Sequence, residues 1–246
     1  MLNVNVCKSG LTCLLALTAM SSCKDQQAGP LRPALRAYVV PLTGTPPAID
    51  GDLSDSVWRQ SPAVELVNSI TGRKGKRSTL ARILYDDHSL YLCFQSQSEN
   101  VWATLTQRDE ALYEEEVVEI FIDANADGKT YNEIEVSPRN VLFDAYFPAR
   151  RQGMDLQYDS GTRSAVVVRG TLNLPIDIDQ GWNVEMAIPF SSLSAVNHVP
   201  PRSGEKWRFN LYRLDHADYQ VEGLAFSPPQ IGDFHALDRF GWLIFQ

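Results

Sequence analysis

From Tyr38 onward, apolar and polar residues alternate in short runs, the period-2 pattern of strands with one buried face. Segments 79–85 and 90–96 read as a hairpin turning through Asp86, Asp87, His88 and Ser89. Further strand-like runs cover 117–123, 131–137, 141–147, 165–169, 182–188, 207–214 and 241–245. Only 53–60 and 190–193 have helical spacing, a turn or two each, with Ser54 suited to cap the first. Many short strands between turn residues predict an all-β protein, a two-sheet antiparallel β-sandwich.

The alternation also sorts the chemistry. Trp182, Val184, Met186 and Ile188 share one face of their strand, and Asn183 and Glu185 share the other. Ile134 and Val136 oppose Glu133 and Glu135, and Trp207, Phe209 and Leu211 oppose Arg208, Asn210 and Tyr212. Two readings of the polar faces stand open: an ordinary solvated sheet surface, or a concave surface that meets a ligand.

One strand departs from the pattern. Glu119 lies between Val118 and the apolar pair Ile120 and Phe121, where a carboxylate is costly to desolvate unless something donates to it. Tyr113 stands at the entrance to the same strand. An aromatic platform beside a fixed acceptor is the chemistry of sugar recognition, in which C–H groups stack on the ring and hydroxyls donate.

The first residues are expected to lie outside the fold. Lys8, an apolar stretch over 11–20 and the small residues Ser21 and Ser22 read as an export signal, too short to span a bilayer. Met20-Ser21-Ser22-Cys23 resembles a bacterial lipobox, which implies a lipid on Cys23. The expected organisation is a signal over 1–22, a polar tether over 23–36, and one domain over 37–246. With the signal removed, Cys93 and Cys23 are the remaining cysteines, so no disulfide is expected within the domain. The chain carries 22 basic and 30 acidic residues, a net charge of −8, which argues against nucleic acid as a partner. A monomer held to the membrane only by its lipid is expected. Asp123, Asn125 and Asp127 place oxygens at the alternating spacing that calcium loops use, although an acid-rich hairpin loop without metal has the same sequence.

A series of motifs resembles the family 9 carbohydrate-binding modules. Ala48-Ile49-Asp50-Gly51-Asp52-Leu53 through Val57-Trp58 is similar to their opening signature, and 83–92 to the hairpin that follows. Residues 113–123 resemble the central strand, 181–189 and 207–213 later ones, and Phe226-Ser227-Pro228 through Phe234-His235 to Phe240-Gly241 the end. The resemblance implies a β-sandwich that binds sugar chain ends between two aromatic walls, often beside xylan-degrading glycosidases and with structural calcium. Carried over by motif, the walls are Tyr113 and Phe234 and the acceptor is Glu119, with Glu135 beside it. It also raises calcium at Asp50 and Asp52, acids that could equally serve the neighbouring helical turn. Departures accompany it: the walls lack the tryptophans of well-studied binders, Glu135 stands where a sugar-gripping arginine is expected, and Ile231 replaces an amide.

The expectation is a non-catalytic, lipid-anchored carbohydrate-binding protein of the bacterial cell envelope that supports glycan breakdown. Two alternatives accompany it. One is a glycoside hydrolase drawing a carboxylate pair from Glu119, Glu135 and Glu185; the other is a structural lipoprotein without a sugar ligand.

Overall fold

The protein is described here by a computed structural model covering residues 34–217 and 220–246. The expected signal over 1–22, the lipidation residue Cys23 and most of the tether lie outside the described residues. Among those described, no helix is long and apolar enough to cross a membrane.

The strands, in chain order, are β1 (Ala37–Val40), β2 (Val64–Glu65), β3 (Val67–Asn68), β4 (Thr79–Tyr85), β5 (Ser89–Ser96), β6 (Val117–Asp123) and β7 (Tyr131–Val136). Then follow β8 (Leu142–Phe147), β9 (Arg163–Arg169), β10 (Gly181–Pro189), β11 (Lys206–Asp215), β12 (Glu222–Ala225) and β13 (Gly241–Phe245). One sheet runs β1-β13-β11-β6-β7-β8, with β12 on the edge of β11 and β3 on β12; the other runs β2-β4-β5-β10-β9. These ladders are antiparallel except β1 on β13, which is parallel. The expected β-sandwich is therefore the observed fold.

The core between the sheets follows the alternation. Val118, Ile120 and Ile122 of β6 and Ile134 and Val136 of β7 pack with Trp182, Val184, Met186 and Ile188 of β10 and Trp207, Phe209 and Leu211 of β11. At one end of this layer the sheets are joined by a polar staple. Arg213 of β11 donates to Glu116 Oε1 at 2.7 Å, and the Trp182 indole N–H reaches the same oxygen at 2.8 Å. Arg213 also donates to Thr79 Oγ1 and to the Gln97 carbonyl, so both terminal nitrogens of the buried guanidinium have acceptors, while its Nε has none.

The helical segments are shorter and tighter than expected. Residues Ser56–Gln60 and Phe190–Ser192 form 3₁₀ turns, joined by Leu112–Glu114 and Leu237–Arg239. The cap of the first is Asp55, whose Oδ1 accepts the Val57 N–H at 3.1 Å, and not Ser54, which donates to Asp52 instead.

The solvated-face reading of the polar strand positions fails. Both sheets carry a second layer outside the sandwich. On the smaller sheet, Leu84, Tyr91, Cys93 and Ala187 are covered by Ile49, Leu53, Val57 and Trp58. Burial, with Glu185 nearby, pushes the Cys93 thiol up to about 12. On the larger sheet, Phe121, Tyr131, Phe143, Phe147 and Tyr212 are covered by segments that include Leu112, Phe234, Leu237 and Phe240.

Candidate functional site

The outer layer on the larger sheet is laid down by the polar residues of β11. Arg208 donates to the carbonyls of Leu237 and Phe240 at 2.8 and 3.0 Å. Asn210 exchanges hydrogen bonds with the backbone of Ser227, both at 2.8 Å, and Tyr212 Oη donates to the Phe234 carbonyl at 2.8 Å. These side chains anchor the 226–240 segment across the sheet. Phe234 then stacks on Tyr212, with centroids 4.0 Å apart and planes 4° from parallel. Gly223 permits this approach, because a Cβ there would meet Ser69 Oγ at 2.8 Å and the tip of the Phe234 ring at 3.0 Å.

His235 is seated next to it. Tyr131 Oη lies 2.6 Å from His235 Nδ1, and the imidazole packs edge-on against Phe121 and Phe147. Burial, then the Arg151 charge, lowers the His235 pKa to about 4, so the ring is neutral and its tautomer sets which of Nδ1 and the Tyr131 phenol donates. A second clamp closes that side: Asp233 takes the guanidinium groups of Arg150 and Arg151, the latter through Nε at 3.0 Å and Nη2 at 2.9 Å.

What remains open between these segments is a cleft of about 630 Å³. Its walls include Tyr113, Phe143, Met154, Arg151, Ile70 and Phe234, and its floor includes Glu119, Phe121 and Glu133. Tyr113 is 48% exposed and meets Phe143 edge-on, leaving much of its ring available.

The floor is unusually rich in carboxyl groups for its depth. Glu119 of β6 lies directly opposite Glu135 of β7, and Glu133 shares their face two residues earlier. All three are buried. Oε1 of Glu119 has no hydrogen-bond partner, and the oxygens of Glu135 accept none of normal geometry, the Tyr113 N–H and the Glu133 carboxyl being the polar groups that act on them. Burial, then the neighbouring Glu133, raises the Glu119 pKa well above the usual carboxylate range. Burial followed by Glu119 and Glu133 does the same to Glu135, and burial pushes Glu133 up to about 7.

The structure thus brings Tyr113, Glu119 and Phe234 to one cleft and sets Glu135 beside Glu119 behind its floor. Glu185 lies elsewhere, on the outer face of the smaller sheet. Its Oε2 accepts from the backbone N–H groups of Asp50 and Gly51 at 2.9 and 2.8 Å, and its Oε1 from the Trp58 indole at 2.7 Å. Of the three carboxylates from which a hydrolase would draw its pair, Glu185 therefore stands apart: it fastens the 49–58 segment to β10.

The loops read for calcium are closed by their own hydrogen bonds. Asp123 accepts from the N–H groups of Asp127 and Gly128, and Asp127 from those of Lys129 and Thr130. Asn125 is engaged with Asp127 through both its amide atoms. Asp50 accepts the Asp52 N–H, and Asp52 the Ser54 N–H and hydroxyl.

Residues 49–241 match the sequence model of the family described as carbohydrate family 9 binding domain-like. The chain belongs to this family. An extracellular protein of Arthroderma benhamiae is 28% identical over 188 residues, 72% of this chain and 82% of its own length. Exoglucanase XynX of Acetivibrio thermocellus and endo-1,4-beta-xylanase A of Thermoanaerobacterium saccharolyticum are each 27% identical over 156 residues, 63% of this chain but 12% of either enzyme. Two solved structures share the fold. A candidate carbohydrate-binding protein of Bacteroides uniformis superposes with TM-score 0.70 at 17% identity, over 87% of this chain and all of that one. A family 9 module of Caldicellulosiruptor kristjanssonii, solved with cellotriose, gives 0.61 at 16% identity, over 86% and 94%.

Within this family 9 domain, sequence reasoning did not single out Glu133, Arg151 or His235 for the site. Glu133 was visible as a period-2 partner of Glu135, a signal sufficient to place it on the floor once Glu119 was chosen. Arg151 and His235 come from irregular segments, where no periodicity reports direction.

Proposed function

We propose that this protein binds carbohydrate without chemistry, taking the end of an oligosaccharide or polysaccharide into the cleft between Tyr113 and Phe234. One observation carries the reading: these two rings, more than a hundred residues apart in sequence, line the same cleft above Glu119 and Glu133. The rings offer apolar faces to sugar C–H groups, and Glu119 Oε1 lacks a donor that a hydroxyl can provide. The volume falls within the range of small-ligand pockets. Related domains solved with cellotriose and glucose, and relatives named as a xylanase and an exoglucanase, support a plant-polysaccharide type of ligand.

The same reading places the protein outside the cytoplasm, tethered at the cell envelope by a lipid on Cys23. The motif at 20–23 and the extracellular relative support this placement. Cys23→Ser should release the protein from the membrane fraction.

Hydrolysis fits the geometry less well. A glycosidase places its two carboxyl groups on either side of the scissile bond, about 5–9 Å apart. Here Glu119, Glu133 and Glu135 crowd together on two neighbouring strands, with oxygens of all three within 4.8 Å of one another.

Calorimetric titration of the full chain with cellotriose, glucose and xylo-oligosaccharides tests the proposal. Replacing both Tyr113 and Phe234 by alanine should weaken binding about tenfold or more, equivalent to about 1.4 kcal/mol or more. Undiminished affinity in that variant would take the ligand out of this cleft. A wild-type protein that binds no glycan at millimolar concentration would favour a structural lipoprotein.

A further inference from the structure

The three carboxylates of the cleft floor raise a problem that the sugar reading leaves unsolved. Directly opposed carboxylates repel when ionised, and here the opposed pair Glu119 and Glu135 is buried with a third carboxyl group beside it, so the three can ionise together only if a cation joins them. Arg151 is the cation nearest in effect to Glu133, but its guanidinium is committed to Asp233. Glu135 does not line the cleft and is fully buried, and neither of its oxygens accepts a hydrogen bond of normal geometry, although the Tyr113 N–H and the Glu133 carboxyl lie close enough to act on it. A sugar hydroxyl in the cleft would meet Glu119 and Glu133 first, leaving Glu135 unsatisfied behind them.

The geometry points to a divalent cation site, of the calcium type, formed by Glu119, Glu133 and Glu135. One oxygen from each lies within 4.8 Å of the other two, so a point exists within about 2.8 Å of all three. Calcium binds oxygen at about 2.3–2.6 Å, and side-chain adjustments of a few tenths of an ångström close the difference. A donor set made only of carboxylates selects a hard cation over zinc or copper. Calcium suits it better than magnesium, which demands near-octahedral ligands at about 2.0–2.1 Å. Glu119 and Glu133 also face the cleft, so the positions that protein does not fill are open to water or a bound hydroxyl. This site is separate from the Asp123–Gly128 turn, whose carboxylates are engaged by their own backbone. The cation site stands whether or not the cleft takes sugar.

The test uses chelator-treated full chain, titrated calorimetrically with calcium chloride and then magnesium chloride, with thermal melting measured in parallel. Wild type should take up one calcium at this site, melt at higher temperature when loaded, and prefer calcium to magnesium. Glu135→Gln should weaken calcium binding about tenfold or more. It should nevertheless melt no lower than the metal-free wild type, because an amide replaces a carboxyl that burial already disfavours as an anion, and that cooperative melt shows that the variant is folded. Asp127→Asn should leave calcium binding unchanged. Absence of calcium binding in wild type at 10 mM, or binding that survives Glu135→Gln and is lost in Asp127→Asn, would overturn the assignment. The outcome is independent of the glycan titration, so either proposal can fail alone.

Discussion

Arg213 of β11 and Glu116, just before β6, form an ion pair of 2.7 Å in which neither side chain reaches solvent. Because Glu116 also holds the Trp182 indole and Arg213 also holds Thr79, the pair ties the larger sheet to the smaller one. Removing one partner leaves the other charged, buried and uncompensated. Arg213→Met should therefore lower unfolding free energy by about 3–5 kcal/mol, measured by urea denaturation. The double variant with Glu116→Leu should recover part of that loss. A single variant within 1 kcal/mol of wild type would mean that water reaches the pair.

Glu185 offers a cleaner separation of structure from function. Its three donors come from the 49–58 segment and it stands on the sheet that does not carry the cleft. Glu185→Leu should cost about 2–3 kcal/mol by stranding the N–H groups of Asp50, Gly51 and Trp58. Hydrogen exchange should quicken over 49–58, while any glycan affinity is retained. Loss of ligand binding with unchanged exchange would return Glu185 to the site.

Tyr113 and Phe234 should behave differently in folding although both wall the cleft. Phe234 covers the buried Tyr212 ring, so Phe234→Ala is expected to destabilise the fold by about 2 kcal/mol. Tyr113 is half exposed and touches mainly the edge of Phe143, so Tyr113→Ala should cost less than about 1 kcal/mol. Denaturant midpoints of the two variants compare them directly; equal losses would contradict the stacking account.

Why the strands were legible and the cleft only partly so follows from how each is encoded. Trp182, Val184, Met186 and Ile188 announce a buried face by spacing alone, and that face packs where the spacing says. The opposite faces carry Arg208, Asn210, Tyr212 and Glu185, which composition reads as solvent-facing. Each is instead saturated by backbone groups from remote segments. Period-2 reasoning tells which residues share a face, but not that a loop will cover it. The same limit hid Arg151 and His235. Short β1 and β12 and the two-residue strands β2 and β3 were unassigned for a related reason: their pairing is set by neighbours, with too few residues to show a period.

His235 gives the protein a predictable acid response. In the folded state burial lowers its pKa to about 4; Arg151 and Arg150 oppose the imidazolium and Asp233 favours it, whereas an unfolded chain titrates near 6.5. Between those values the unfolded chain binds a proton that the folded one does not, so stability rises with pH across this window. On acidification the contribution is intact above about 6.5, erodes toward 4 and is gone below it. Allowing for the ring's partial exposure, the loss is about 2 kcal/mol. Other groups titrate in the same range, so the measurement is a difference: unfolding free energies of wild type and His235→Gln at pH 7, 5.5 and 4. Glutamine keeps an acceptor for the Tyr131 phenol but does not ionise. Wild type should lose ground to the variant as the pH falls, and two curves that stay parallel would mean that His235 titrates at the same pH in the folded and unfolded protein.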